Sequence, residues 1–361
     1  MRLFDCLTSS ASCVSIECTR MTEYHFNSIC NVYVLKKLIF SHVITRPVIH
    51  HIMHLLSLNV NGIKHLCVKQ TSVKHKPQPS ITRFFPSTST SHVKEEKESE
   101  SPLSSTTSLH TLLAESNADI VFLQELKTNK TDAHKCLDQF SDLYAHRFVH
   151  ASVKKGYSGV ATLCKGKPSA VWVDLTLLQN SSNSLDEFCV KQYTEQGLAD
   201  EGRILCVQMS DVIYINVYAV NSGKGGIRIS ERTCFEFCLL RLVTYIQDIM
   251  QCHVVLGGDM NVCPTLTKLD CTAPSWFSNI PGGFDNERQW LSQLCTATRL
   301  TDTYRHQHPK ETKYTNTCGR HKWRLDLFLV SSHLLTKVSH ADIMEDISLS
   351  DHKPITLTCT L

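Results

Sequence analysis

Polar and charged side chains recur in this 361-residue sequence where predicted strands end. Strand ends hold side chains rigidly at one rim of a sheet, and active sites are commonly built there. We therefore treat these residues as one candidate set. The set comprises Asn59, Asn61, Glu125, Tyr218, Asn221, Asp259, Asn261, Asp326, Asp351 and His352.

These residue types are suited to metal-assisted hydrolysis of a phosphodiester. Oxygen ligands suit a hard cation, and Mg²⁺ binds through one or two carboxylates together with a substrate phosphate. His352 could orient or share a proton with a phosphate oxygen, and Asp326, if near, would fix its tautomer. The oxygen ligands are those of Asn61, Glu125, Asp259 and Asp351.

Each member of the set also has an ordinary structural explanation. Asn61-Gly62 is a common turn, and a lone carboxylate at a strand end usually caps a loop. Tyr218 alone is typical of a half-buried strand aromatic. The order and spacing of the whole set therefore carry the functional hypothesis.

Runs of apolar and β-branched residues predict the strands that would position these groups. Apolar residues spaced three and four apart predict helices between them. Many strands and few long helices indicate two packed sheets flanked by helices. The predicted strands are Leu55–Val60, Asp119–Gln124, Tyr157–Cys164, Ile204–Met209, Val212–Val220, His253–Leu256, Arg324–Val330 and Ile355–Thr360, and the predicted helices are Leu109–Ser116, Glu231–Gln251 and Asn286–Thr298.

Composition excludes several classes of protein. Lys and Arg total 37 against 34 Asp and Glu, and the net charge of +3 excludes a purely electrostatic nucleic-acid coat. No stretch of about 18 uncharged apolar residues occurs, so we expect no membrane span. The 17 cysteines include no Cys-x-x-Cys pair, which favours free thiols of a reducing compartment over a secreted disulfide scaffold.

Composition also divides the chain. Residues 53–361 are predicted to form one α/β domain. Residues 1–52 show no clear period and are predicted to be a poorly ordered N-terminal extension, with a mitochondrial presequence as the alternative. Residues from about 69 to 108 are rich in Ser, Thr and charged residues, which predicts a disordered surface insertion.

Six motifs, in this order, resemble those of the exonuclease III / AP (apurinic/apyrimidinic) endonuclease family, and the AP endonuclease 2 type most of all. The resemblance implies a four-layered α/β sandwich, in which helices flank two packed mixed β-sheets and the site lies at one edge of the sheets. The motifs are LSLNVNGI at 56–63, VFLQELK at 121–127, NVYAVNSG at 216–223, GGDMNV at 257–262, WRLDLFLV at 323–330 and SDHKPITL at 350–357.

The resemblance implies a DNA repair enzyme of base excision repair. Such an enzyme cuts 5′ to abasic sites and acts on 3′ ends as a 3′-5′ exonuclease and 3′-phosphodiesterase. The implied cofactor is Mg²⁺, with Mn²⁺ as a substitute, and the implied substrate is double-stranded DNA with abasic sites or damaged 3′ ends. A monomer in the nucleus is also implied, with the mitochondrion as the alternative location.

The resemblance also implies residue roles. Asp259 would orient or deprotonate the attacking water, Asn261 would hold that water, and His352 would bind the scissile phosphate. The implied catalytic residues are Tyr218, Asp259, Asn261, Asp326 and His352. The implied metal ligands are Asn61, Glu125, Asp259, Asn261, Asp351 and His352. The implied substrate-binding residues are Asn59, Asn221, Phe284, Trp323 and Leu325, the last three matching a pocket for a flipped abasic sugar.

One motif in the predicted insertion points to a protein partner. The string QPSITRFF at 78–85 looks like the PCNA-interacting box that binds the sliding clamp. Ile81, Phe84 and Phe85 would form an apolar plug on a short helical turn. Gln78 would fill a polar pocket. A chance match, or a segment that packs onto the domain, is the alternative.

The same fold permits other functions, because fold does not fix substrate. A LINE-retrotransposon-type or DNase I-like endonuclease, or an inositol-phosphate phosphatase, would keep the sandwich and change the substrate. A catalytically weak adaptor recruited to the clamp is a further alternative. The loop between Thr315 and Trp323 is shorter than is usual in the family, which bears on contacts at the substrate edge.

Overall fold

Two six-stranded β-sheets form the centre of the computed structural model, which describes residues 51–67 and 108–361. The strands are β1 (Ile52–Asn59), β2 (Ile120–Gln124), β3 (His146–His150), β4 (Val160–Cys164), β5 (Ala170–Val173), β6 (Ile204–Met209), β7 (Val212–Tyr218), β8 (His253–Asp259), β9 (Leu300–Asp302), β10 (Asn316–Cys318), β11 (His321–Trp323), β12 (Asp326–Ser331), β13 (Val338–Ile343) and β14 (Ile355–Thr360). The helices are α1 (Leu109–Ser116), α2 (Lys130–Leu137), α3 (Ser184–Glu195), α4 (Ile229–Asp248), α5 (Pro274–Phe277), α6 (Asp285–Thr298), α7 (Thr303–Gln307) and α8 (Ser332–Leu335).

Each large sheet contains one parallel pair of neighbouring strands. The first sheet has the order β13-β14-β1-β2-β4-β3, in which β1 is parallel to β2. The second has the order β5-β6-β7-β8-β12-β9, in which β7 is parallel to β8. The register pairs Asn59 with Gln124 and Tyr218 with Asp259, so the carboxyl ends of each pair lie side by side.

Alternating side chains along the strands build the layers. Leu55 and Phe122 of the first sheet pack with Tyr214 and Phe328 of the second in the core between the sheets. Leu56, the neighbour of Leu55, faces the other way and packs under α1 and α2. Helices α3, α4 and α6 cover the outer face of the second sheet. The order helix–sheet–sheet–helix confirms the predicted four-layered sandwich.

Several predicted elements have the predicted bounds, and others differ. Helix α1 and strands β6 and β14 match residue by residue. Strand β8 runs on through two glycines to Asp259, and β12 begins only at Asp326. The sequence did not predict β3, β5, β9, β10, β11 or β13, which are short or carry mixed polar and apolar residues without clear alternation.

Other expectations have plainer outcomes. The cysteines whose side chains the structure describes are free thiols. Among the described residues, the helices lack the combination of length and apolar content that crossing a bilayer requires. The predicted extension and the predicted insertion with its clamp motif lie outside the described residues, except at their edges.

The two glycines before Asp259, the last residue of β8, allow a close approach of chains. A Cβ atom on Gly257 would lie 2.4 Å from the ring of Phe328 and 3.1 Å from the ring of Phe122 in the facing sheet. Gly258 has a φ of +132°, and a Cβ there would lie 2.1 Å from the carbonyl oxygen of Val217. Only glycine tolerates both the close contacts and the positive φ at Gly258. The glycine pair therefore determines the position from which the Asp259 side chain enters the site.

We expect Gly258→Ala to lower the free energy of unfolding by about 3 kcal/mol or more, because it combines an unfavourable φ with a backbone clash. Urea unfolding followed by circular dichroism measures the change. Gly166→Ala is the matched control, since a Cβ at Gly166 meets nothing within 4 Å. Equal unfolding midpoints for the two variants would contradict this account of the turn.

Candidate active site

The side-chain amide of Asn59 joins the two sheets at the rim. Asn59 ends β1 and is fully buried. Its Nδ2 donates to Glu125 Oε1 and to Asp259 Oδ2, each at 2.9 Å. Its Oδ1 accepts the backbone N–H of Asn61 at 3.0 Å. One amide therefore holds together two carboxylates that follow strands of different sheets.

Glu125 lies at the centre of a polar cluster. Its Oε1 also accepts the Tyr218 hydroxyl at 2.9 Å, and its Oε2 lies 2.5 Å from Lys127 Nζ. Burial would raise the pKa of Glu125, but hydrogen bonds from Asn59, Lys127 and Tyr218 outweigh it and lower the pKa. Burial is the main cause that raises the pKa of Tyr218, and the negative charge of Glu125 adds to it. This phenol therefore stays a neutral donor.

Asn61 and Lys127 face each other across this cluster. Lys127 Nζ donates to Asn61 Oδ1, and Asn61 Nδ2 donates to Asp351 Oδ1 at 3.0 Å. Asn61, Glu125 and Lys127 all have left-handed backbones, with φ of 46°, 54° and 51°. Such backbones are costly outside glycine and are typical of functional loops. Asp351 is exposed, so it stands at the outer edge of the group.

A buried histidine and two aspartates form the other half of the site. His352 Nδ1 donates to Asp326 Oδ2 at 2.7 Å, and Nε2 lies 3.9 Å from Asp259 Oδ2. Burial would lower the pKa of His352, but Asp326 and Asp259 outweigh it and raise the pKa to about 10. The ring is therefore an imidazolium at neutral pH, with Nε2–H free of the Asp326 contact.

Asp259 is a carboxylate of unusual pKa. Burial is the main cause that raises its pKa to about 7, and Asp326 and Glu125 add to it against the opposing effect of His352. Its Oδ1 accepts the backbone N–H of Asn261 at 2.8 Å. A carboxyl group that titrates near neutral pH is suited to proton transfer.

Asn261 and Asn221 flank this aspartate. Asn261 Nδ2 donates to the carbonyl of Ala219 at 2.9 Å, and its Oδ1 accepts Asn221 Nδ2 at 3.0 Å. Together with the groups above, they show that the structure brings the rim residues predicted from sequence into one site.

The predicted sugar pocket is placed in part. Trp323 and Leu325 pack with Cys263, Cys271 and Phe277. Phe284 is absent from this cluster. It caps α6, and its ring lies near Gly226 instead. That Phe284 lines a sugar pocket with Trp323 and Leu325 stays a prediction; a Cβ on Gly282, two residues before Phe284, would lie 3.2 Å from the Trp323 ring.

Sequence reasoning missed three residues of the site. Lys127 is part of the motif that carries Glu125, and its positive charge two residues later was the available signal. Phe277 stacks on Trp323 with ring centroids 4.0 Å apart. Asn316 accepts Trp323 Nε1 at 2.6 Å and pairs with His352 through a β-bridge. No sequence pattern distinguished Phe277 or Asn316 from the residues around them.

Two groups of ligand atoms could receive a cation. Asn61 Oδ1 and Glu125 Oε2 already surround the ammonium of Lys127, which shows that these oxygens suit positive charge. Atoms of Asp259, Asp326 and His352 lie within 4.8 Å of one another, and Asp326 Oδ1 is buried without a hydrogen-bond partner. The first, all-oxygen group suits a hard divalent ion better.

Comparisons with known proteins find that the chain is similar to nucleases. The chain is 30% identical over 254 residues to a Bacillus subtilis exodeoxyribonuclease, covering 68% of this chain and 89% of the relative. It is 27% identical over 283 residues to DNA-(apurinic or apyrimidinic site) endonuclease 2 of Schizosaccharomyces pombe, covering 68% and 52%. The fold matches the Xenopus laevis APE2 catalytic domain with a TM-score of 0.60 at 22% identity, covering 86% and 93%.

The model of the "Endonuclease/Exonuclease/phosphatase family" matches residues 56–352, which include strands of both sheets and the rim between them. This match confirms the resemblance predicted from the motifs and, at the level of the family, the predicted class of enzyme. The chain belongs to the endonuclease/exonuclease/phosphatase family.

Proposed function

We propose that this protein is a metal-dependent DNA repair nuclease that hydrolyses phosphodiester bonds. It would cut 5′ to abasic sites and act on 3′ ends as a 3′-5′ exonuclease and 3′-phosphodiesterase, in base excision repair. The proposal rests mainly on the placement of Glu125, Asp259 and His352 at one rim. Asn59 holds the two carboxylates, and Asp326 holds the histidine. The names of the relatives, an exodeoxyribonuclease and an AP endonuclease, support DNA as the substrate.

Asp259 and Asn261 would handle the attacking water. The Asp259 carboxylate is fixed by Asn59 on one oxygen and by the Asn261 backbone on the other. With a pKa near 7, it can accept the proton of the water as the new P–O bond forms. The Asn261 amide would hold that water in line.

His352 would stabilise the charge that develops on the phosphate. Asp326 locks the ring through Nδ1, so Nε2–H is left to donate to a phosphate oxygen. A preformed cation in a buried site stabilises a developing oxyanion strongly. Tyr218, kept neutral, and Asn221 would donate to the phosphate or to the leaving oxygen.

Asn61 and Glu125, with Asp351 at the outer edge, would hold the divalent cation. We propose Mg²⁺, with Mn²⁺ as a substitute, because the ligands are all oxygen. When bound, the cation supplies positive charge beside the phosphate. Lys127 supplies further positive charge at the same oxygens from the protein itself.

Trp323 and Leu325 would receive the sugar of an abasic nucleotide. Both side chains are buried beside the histidine half of the site, to which Trp323 is joined through Asn316. A nucleotide without a base is cheaper to extrude from the duplex than an intact one. The deciding test uses an oligonucleotide with one central abasic site beside a recessed, mismatched 3′ end, and intact duplex and phosphoinositide as alternative substrates. Cleavage of phosphoinositide alone would overturn the proposal.

We expect Asp259→Asn and His352→Asn each to lower turnover by about 100-fold or more without unfolding the protein, because each removes a proton acceptor or a fixed charge. Single-turnover cleavage of the abasic oligonucleotide measures the effect. Asp211→Asn and His306→Asn, which alter exposed residues outside the site, are the controls. Normal turnover in either site variant would refute the assigned roles.

We expect Glu125→Gln to weaken divalent-metal binding by about 10-fold or more, because it removes the charged ligand. Titration with Mn²⁺, in which electron paramagnetic resonance reports the concentration of the free ion, measures binding without catalysis. Glu195→Gln on the exposed face of α3 should bind like the wild type. Equal Mn²⁺ affinity in both variants would place the cation elsewhere.

We further propose that residues 78–85 bind the sliding clamp, on the strength of the sequence motif, and that the protein acts as a nuclear monomer. Phe84→Ala/Phe85→Ala should abolish retention of the full chain by immobilised PCNA, because the apolar plug is lost. Ser80→Ala/Thr82→Ala changes only the variable positions of the motif and serves as the control. Equal retention of both double variants would end the clamp proposal.

A further inference from the structure

A pair of stacked rings lies at the surface next to the proposed sugar pocket. Trp276, in the short helix α5, is 41% exposed. Its ring stacks on that of His321, in β11, with centroids 4.8 Å apart and planes at 30°. We call Trp276 and His321 the aromatic platform.

The aromatic platform is continuous with the interior of the site. The rings of Trp276 and Phe277 meet edge to face with centroids 4.9 Å apart, and the ring of Phe277 stacks on that of Trp323 with centroids 4.0 Å apart. Trp323 is joined to Asn316, and Asn316 pairs with His352. A row of rings therefore leads from the surface to the neighbourhood of the proposed phosphate-binding histidine.

The charges around the aromatic platform favour a polyanion. Exposed Arg320 and Lys322 flank His321 on the β10–β11 hairpin. The segment from 272 to 284, which carries Trp276, contains no acidic residue to repel a phosphate. Positive charge beside an exposed aromatic ring is the usual combination for binding single-stranded nucleic acid.

We propose that one unpaired nucleobase of the DNA strand being processed stacks on the aromatic platform. The aromatic platform would thereby select frayed or mismatched 3′ ends. This proposal rests on the proposed nuclease function and adds a binding site to it. A paired base shows its faces only to its neighbours in the duplex, whereas an unpaired base can lie on Trp276. The backbone of that nucleotide would run past Arg320 and Lys322.

The test measures binding of the full chain to two duplexes in EDTA, so that hydrolysis does not interfere. Both carry 2-aminopurine at the 3′ terminus, unpaired in one duplex and paired in the other. Stacking on an aromatic ring quenches the fluorescence of this base. Wild type should quench the unpaired base. Trp276→Ala should lose the quench and bind the frayed duplex roughly 5-fold to 150-fold more weakly, the range for loss of one stack, with unchanged affinity for the paired duplex.

Two further variants control for fold and for generic aromatic contact. Trp276→Phe retains a ring and should retain the quench. Phe188→Ala removes an exposed ring that packs against Phe237 on α3 and α4, and it should behave like the wild type. A quench in Trp276→Ala equal to that in the wild type, or an equal loss of affinity for both duplexes, would overturn the proposed stacking on the aromatic platform.

The outcome separates this inference from the proposed function. If the wild type cleaves an abasic duplex but does not quench the unpaired base, the aromatic platform alone is wrong. If the quench depends on Trp276 but the wild type cleaves no DNA, the nuclease proposal alone is wrong.

Discussion

The arrangement of this domain depends on one buried amide that donates to two carboxylates. Asn59 reaches Glu125 from its own sheet and Asp259 from the facing sheet. Two negative charges this close would repel each other in a site of low dielectric constant, and the shared donor offsets part of that repulsion. The sandwich and the site are therefore not separable features, because the amide that positions the carboxylates also joins the sheets.

A second polar contact crosses between the sheets beneath the rim. Gln124 donates to Asn216 at 2.8 Å, and Asn216 donates to the carbonyl of Ala161 at 2.7 Å. Both side chains are fully buried, so each hydrogen bond left unmade would be costly. Below this level the packing between the sheets is mainly apolar. At this level hydrogen-bond geometry sets the spacing of the sheets, and Gly257 and Gly258 leave the room that this spacing needs.

Much of the site could be predicted from sequence, because its residues lie at or near the ends of strands whose apolar runs are easily recognised. Asp259 after a glycine pair and His352 after Asp351 are local patterns of this kind. Phe277 could not be found in this way. It reaches Trp323 only because the loops after β8 and before β12 fold over each other, and such a contact leaves no periodic signal. Phe284 was the match by motif, but its ring lies near Gly226 and is not among the residues packed with Trp323.

The edge strands were missed for a related reason. Strand β13 is half exposed, and its sequence, VSHADI, lacks a clean alternation, so only its pairing with β14 defines it as a strand. Short strands such as β10 and β11 exist because each pairs with the other in a hairpin. Their formation depends on tertiary contacts, which override weak local preference.

The ammonium of Lys127 lies between the oxygens of Asn61 and Glu125 and acts as an internal counter-ion of the domain. A metalloprotein whose acidic ligands lack such a charge often loses its structure along with its ion. Here the negative pocket is neutralised by the chain itself. If the proposed cation binds at these oxygens, its removal by chelation should therefore leave the melting temperature nearly unchanged.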